Sequence, residues 1–200
     1  MENSFVFNSL SWYEVLSGYM EGIFPMGVGD KYISWYETSP RAVIPMDNPL
    51  KISRSLKQII KNNTFDIRFD TAFEEVIRGC AEREDTWINE LIIKAYTELF
   101  YRGYAHSVEA WSDGVLCGGL YGVAYRGAFF GESMFFRKSN ASKVCVVSLY
   151  ELLRKNGYRL LDIQMMTPHF KKFGAVNITR ERYRKLLNAA LKKDCKFNFT

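Results

Sequence analysis

The sequence predicts an α+β fold, a mixed sheet with helices on its faces. Two observations carry that expectation. Three apolar runs follow one another between residues 104 and 136, separated by the tight-turn pairs Asp113-Gly114 and Arg126-Gly127, which reads as an antiparallel meander. Stretches with helical spacing of apolar residues lie before and after the meander, and a further strand follows the second of them.

The elements are justified in order. Residues 1–48 hold short helix and strand signals, "LSWYEVLSGYMEG" and "KYISWYE", and form an expected small N-terminal domain. The turn formers of Pro45-Met-Asp-Asn-Pro49 mark its boundary, and residues 49–200 form the larger domain. There "LKISRSLKQIIKNN" reads as a helix and "FDIRFD" as an alternating strand. Thr71-x-x-Glu74 has the form of a capping box for a helix through Ala81, and Asn89 can cap "ELIIKAYTELFYRG". The strands "AHSVEAW", "VLCGGLYGVAY" and "GAFFGESMFF" follow, then a helix from Ser142 to Asn156, the strand "RLLDIQMM" and a last helix capped by Thr179.

Composition narrows the class. With 48% hydrophobic and 16% aromatic residues the chain can bury a real core. The opening "MENSFVFNSLSWYEV" lacks the basic and apolar regions of a signal peptide, and no run reaches membrane-span length, so a cytoplasmic protein away from membranes is expected. Cys80, Cys117, Cys145 and Cys195 are scattered, without metal-ligand spacing, so no metal is expected. The net charge is +5, and residues 171–200 hold nine Lys and Arg against two acids. With "KISRSLKQIIK" they suggest a polyanionic partner such as nucleic acid, a solvated helical face being the competing reading.

Candidate chemistry lies in two apolar runs interrupted by polar residues. Glu132 sits in "FFGESMFF", and Asp162 and Gln164 sit in "RLLDIQMM". A buried carboxylate costs several kcal/mol unless it is paired or hydrogen-bonded, so each needs a partner. By strand alternation Asp162 and Gln164 share a face, as do Phe130, Glu132, Met134 and Phe136. The three polar groups would then floor a pocket suited to an amine beside an apolar group. A buried polar network without chemistry is the alternative. Trp35, Trp87 and Trp111 could stack bases or simply pack, and His169 is the better placed of the two histidines for function. The glycine-rich "GVLCGGLYGVAYRG" lacks any dinucleotide or Walker spacing.

The element order is also that of the acetyltransferase-like (GNAT) fold. Its coenzyme A turn is not matched: Arg154-x-x-Gly157-x-Arg159 fails at the last position and lies at a helix C-terminus. No cofactor is expected. Five motifs in order, "GIFPM…ISWYETSPRAVI", "FEEVIRGCAEREDTWI", "HSVEAW…GGLYGVAYRGAFFGESMF", "NASK" and "LLDIQ…H…GA", resemble the bacterial leucyl/phenylalanyl-tRNA–protein transferases from Tyr19 to Leu191.

That resemblance implies an aminoacyltransferase of the N-degron pathway. It would move leucine or phenylalanine, sometimes methionine, from Leu-tRNA or Phe-tRNA onto proteins with N-terminal Arg or Lys, acting as a monomer. It implies catalytic roles for Glu132, Asp162 and Gln164; a neutral amide being a poor base, Gln164 would position the amine, Asp162 would orient Gln164 and support the developing positive charge, and Glu132 would pair with the cationic acceptor or help accept its proton. The apolar amino-acid pocket would fall on Phe129, Gly131, Met134 and Leu161, with Leu120, Val146 and Leu149, and Trp87 would meet the terminal adenosine. Met26 stands where the family carries a tryptophan, Tyr36 replaces the second tryptophan of a pair, and Thr167 occupies a common asparagine position. A transferase with a different acceptor and a non-catalytic tRNA-binding module are the alternatives.

Overall fold

The computed structural model describes residues 6–199. Residues 1–5, where the segment read as unlike a signal peptide begins, lie outside the described residues, as does residue 200. In chain order the elements are α1 (Trp12–Glu21), β1 (Phe24–Val28), β2 (Tyr32–Tyr36), β3 (Arg41–Ile44), α2 (Arg54–Lys61), β4 (Asp66–Phe69), α3 (Phe73–Ala81) and α4 (Glu90–Tyr101). There follow β5 (Ala105–Ser112), β6 (Val115–Tyr125), β7 (Ala128–Phe136), α5 (Ala141–Lys155), β8 (Leu160–Asp162), α6 (Pro168–Lys172), β9 (Val176–Ile178) and α7 (Arg180–Leu191). The protein is α+β, with a mixed sheet in the order β4-β5-β6-β7-β8-β3-β9 and a separate β1-β2 hairpin. Among the described residues only the β7–β8 pairing in the large sheet is parallel.

Local sequence accounts for most of the boundaries. Asn89 accepts the Ile92 amide and Thr179 the Arg182 amide, as their positions predict. Asp113 and Gly114 both take positive φ, the geometry a tight hairpin turn with right-handed strand twist requires. The start of α3 differs from expectation. Thr71 does not cap it; its hydroxyl donates to Glu109 Oε2 at 2.7 Å, and Glu109 Oε1 takes the Ala72 amide at 3.4 Å. A fully buried carboxylate on β5 thus occupies the helix N-terminus, where the free N–H groups and the dipole favour negative charge.

Two cores lie on the two faces of the sheet. One packs Tyr19 of α1, Ile77 of α3, Tyr96 of α4 and Leu187 of α7 against Phe130; the other packs Leu56 of α2 and Val146 and Leu153 of α5 against Phe129. The division expected at residue 48 falls between β3 and α2. It leaves β3 in the large sheet, where it pairs with β8 on one side and β9 on the other.

Candidate active site

The site begins where two parallel strands part. β7 and β8 pair through Ala128–Leu160, Phe129–Leu161 and Phe130–Asp162. There β8 ends, because Gln164 takes a left-handed φ of 53° and turns the chain away, while β7 runs on to Phe136. A pocket of about 290 Å³ fills the gap. One wall is apolar: Ile44, Leu120, Met134, Val146, Leu149 and Leu161. The other carries Phe24, Met26, Arg83, Trp87 and Tyr121, with Gly131, Glu132 and Gln164 between the walls. The backbone holds Trp87 beside Met26: the Gly27 amide donates to the Trp87 carbonyl at 2.9 Å.

Glu132 stands on a β-bulge. Tyr121 pairs with Ser133 and Gly122 with Gly131, so Glu132 faces no residue across the ladder. The bulge also reverses the alternation expected along this strand. Phe130 packs in the first core, on the side where Glu132 meets Tyr96 and Tyr19, but Met134 packs against the second core and Phe136 is exposed, so beyond the bulge the expected shared face is lost. The Glu132 carboxylate accepts from the Gln164 amide at 3.0 Å and from the Tyr96 hydroxyl at 3.2 Å. Tyr96 in turn meets the Tyr19 hydroxyl at 2.5 Å. Burial pushes the Glu132 carboxyl up to about 7, against hydrogen bonds from Tyr19 and Tyr96 that favour its ionised form. A carboxyl poised there can exchange a proton near neutral pH.

Asp162 is placed differently from the sequence expectation. It is fully buried and does not line the pocket. β8 stops at Asp162, so strand alternation does not relate it to Gln164. Its carboxylate instead pairs with Arg41 (Nη2–Oδ2 2.8 Å, Nε–Oδ1 3.0 Å), takes the Tyr183 hydroxyl at 2.6 Å and takes the Gln164 backbone N–H at 2.9 Å. Arg41 lies between the rings of Phe24 and Tyr183, 4.9 and 4.7 Å from their centroids, and donates to the Gly22 carbonyl. The two buried acids therefore have separate partners. Asp162 touches Gln164 only through its backbone, while Glu132 touches its side chain.

The pocket brings together Trp87, Gly131, Met134, Leu161, Leu120, Val146 and Leu149 with Glu132 and Gln164. Phe129 is not in its lining; it lies buried in the second core with its ring 5.7 Å from Phe197. His169 is also outside, on α6, with its ring against Phe170 and Phe173. Burial and the nearby Lys143 and Lys172 push its imidazole below its ordinary value and favour the neutral form. Trp35 packs against Gly18, where a Cβ would meet its ring at 2.2 Å. Arg41, Tyr19, Tyr96, Tyr183 and Arg83 escaped the sequence reading. Arg41 alone left a signal, as the one charged side chain within the apolar strand "RAVI". Cys80, Cys117 and Cys145 are buried free thiols, and burial raises Cys80 to about 12, far from a reactive thiolate. Among the described residues no helix is long and apolar enough to cross a membrane.

Comparison with known proteins points to a family. The family described as leucyl/phenylalanyl-tRNA protein transferase matches residues 43–188. The leucyl/phenylalanyl-tRNA–protein transferase of Herpetosiphon aurantiacus is 49% identical over 183 residues, covering 92% of this chain and 95% of that protein. The protein of the same name from Gloeobacter violaceus is 50% identical over 184 residues, with 92% and 95% covered. L-PGS from Bacillus licheniformis superimposes on 95% of this chain and 73% of its own, at 10% identity and a TM-score of 0.45, too loosely to add to the description of the fold. At half identity over nearly its whole length, the chain belongs to the leucyl/phenylalanyl-tRNA protein transferase family.

Proposed function

We propose that this protein transfers leucine or phenylalanine from aminoacyl-tRNA to the N-terminal Arg or Lys of acceptor proteins. The observation that carries the reading is the pocket itself. A pocket of about 290 Å³ with one wholly apolar wall suits a leucine or phenylalanine side chain, and a carboxyl poised near 7 stands beside that wall with an amide next to it. The parallel pair β7–β8 opening into this gap, after a meander and a helix, also favours an acetyltransferase-like arrangement of the larger domain.

The chemistry follows from the substrates. The ester linking an amino acid to tRNA is already activated. The acceptor α-amine attacks its carbonyl carbon, the tetrahedral intermediate collapses, the C–O bond breaks and the terminal ribose oxygen leaves with a proton. The enzyme has to align the two substrates and take a proton from the amine. Glu132 is the group to receive it. A carboxylate only accepts hydrogen bonds, so the Gln164 amide turns its Nε2 to Glu132 and keeps Oε1 for the incoming amine. Asp162, neutralised by Arg41, acts at one remove: it holds the Gln164 backbone and so the position of the amide. This favours the orienting role for Asp162 over direct support of a developing ammonium.

The direct test is transfer of labelled leucine from charged tRNA to peptides beginning with Arg, Lys or a neutral residue. Label is expected on the Arg and Lys peptides. Transfer to none of them overturns the reading, and transfer to the neutral one alone overturns its acceptor.

A further inference from the structure

The geometry points to Arg83 as the residue that binds the last internucleotide phosphate of the donor's 3′ end; the inference rests on the aminoacyl-tRNA reading above. Arg83 lies in the α3–α4 loop that also carries Trp87, and both line the pocket on the wall opposite the apolar residues. Its guanidinium is held in place, with Nη2 donating to Ser133 Oγ at 2.8 Å and Nε to the Cys80 carbonyl at 3.3 Å. Both anchors are neutral. Among the described residues no carboxylate lies within ion-pair distance of Arg83, although acids flank it in sequence. Glu82 is engaged by Arg137 at 2.9 Å, and Glu84 and Asp85 are exposed to solvent that screens them.

An arginine with its charge uncompensated, fixed by two hydrogen bonds and exposed at a pocket mouth, is arranged for an anion from outside. The donor supplies one. With the amino acid in the apolar chamber and the terminal nucleoside beside Trp87 and Met26, the chain leaves the pocket along the Arg83 wall, and the first anionic group beyond the terminal ribose is the phosphate joining the last two nucleotides. Lysine there could offer charge but not the fixed planar fork.

The test compares two minimal donors: leucine esterified to adenosine, which has no phosphate, and leucine esterified to the dinucleotide cytidylyl-adenosine, which has one. For Arg83→Gln the ratio of kcat/KM on the dinucleotide to that on the nucleoside is expected to fall about tenfold or more relative to wild type, mainly through KM. Arg83→Lys should fall between the two, and the salt slope of charged-tRNA binding should lessen by about 0.7 for Arg83→Gln. If both donors lose activity equally, Arg83 only braces Ser133 and the strand bearing Glu132, and the assignment is overturned. An unmoved ratio with full activity overturns it as well. These outcomes are separable from failure of the underlying reading, in which the wild-type enzyme uses neither donor nor charged tRNA; that result takes both down.

Discussion

Glu132 keeps its proton to about 7 because burial outweighs the hydrogen bonds that would ionise it. Its ordinary value is 4.5, so the folded state binds the proton more tightly than the unfolded chain. Below about pH 4 both states are protonated and the group has no effect on stability. Between pH 4.5 and about 7 the unfolded chain gives up this proton while the folded state keeps it, so stability falls across that window and levels off above about 7, where the folded state too carries a charge it disfavours. Glu132→Gln should therefore melt higher than wild type at about pH 8 and not at about pH 4; equal shifts at both would remove burial as the cause. As a proton acceptor Glu132 must be ionised, so wild-type kcat/KM should rise through about 7. Glu132→Gln should lose that limb, keep the rise due to the acceptor amine itself, and lose roughly 10²–10⁴ in kcat. Met134, on the chamber wall, sets size: Met134→Trp should lower phenylalanine transfer more than leucine transfer, by a factor matching about 1–3 kcal/mol. If the donor ratio stays put, Met134 does not limit the chamber.

Two features of whole elements place these residues. The bulge in β7 turns Glu132 out of register, and Gly122 opposite it has no room for a side chain: a Cβ would lie 2.3 Å from the Phe130 carbonyl. The neighbouring β3–β8 pairing brings Val43 opposite Asp162, so Arg41 reaches Asp162 diagonally. This ion pair is 1% and 0% exposed, and loss of one partner strands the other in the core. Asp162→Asn should cost about 3–5 kcal/mol of stability, seen in a denaturant melt. Transfer should also weaken at temperatures where the variant stays folded, because the anchor of Gln164 is changed. Arg41→Met in the same chain should recover part of the stability without the activity. A melt unmoved by Asp162→Asn would show that the pair does not hold β3 and β8 together.

On the scale of the whole molecule, charge distribution decides how a large polyanion docks. Lys171 and Lys172 on α6 are exposed and close in sequence to pocket residues Thr167 and Phe170. Arg180 and Arg184 already pair with Glu37 at 2.8 and 3.7 Å, which reduces what they offer. Reversing Lys171 and Lys172 to Glu should raise KM for charged tRNA, flatten its salt dependence by about 0.7–0.9 for each phosphate no longer neutralised, and change kcat little. The same reversal of Arg180 and Arg184 should act more weakly. Equal slopes for wild type and both variants would place the tRNA elsewhere on the surface.

The α+β class, the meander, the caps at Asn89 and Thr179 and the residue types at the site were legible in the sequence, because each is written in a few neighbouring residues. A cap needs one side chain and the amide three residues on; a tight hairpin needs two residues that tolerate positive φ. The presence of acids in apolar runs was legible for the same reason, and so was the need for partners. The partners were not. Arg41 and Asp162 are 121 residues apart, Tyr96 and Glu132 are 36 apart, and Thr71 meets Glu109 across 38, which displaced the local capping box. Strand alternation pointed to one polar floor. The bulge at Glu132 and the left-handed turn at Gln164 broke that alternation on both strands, and in doing so brought Glu132 to the Gln164 side chain and left Asp162 behind with Arg41. Sequence determined which acids had to be buried; only the pairing of β3 with β8, and the approach of Tyr96 on α4 to Glu132 on β7, decided which would meet a cation and which only neutral donors, because a buried acid takes whichever partner the tertiary structure brings within hydrogen-bonding distance.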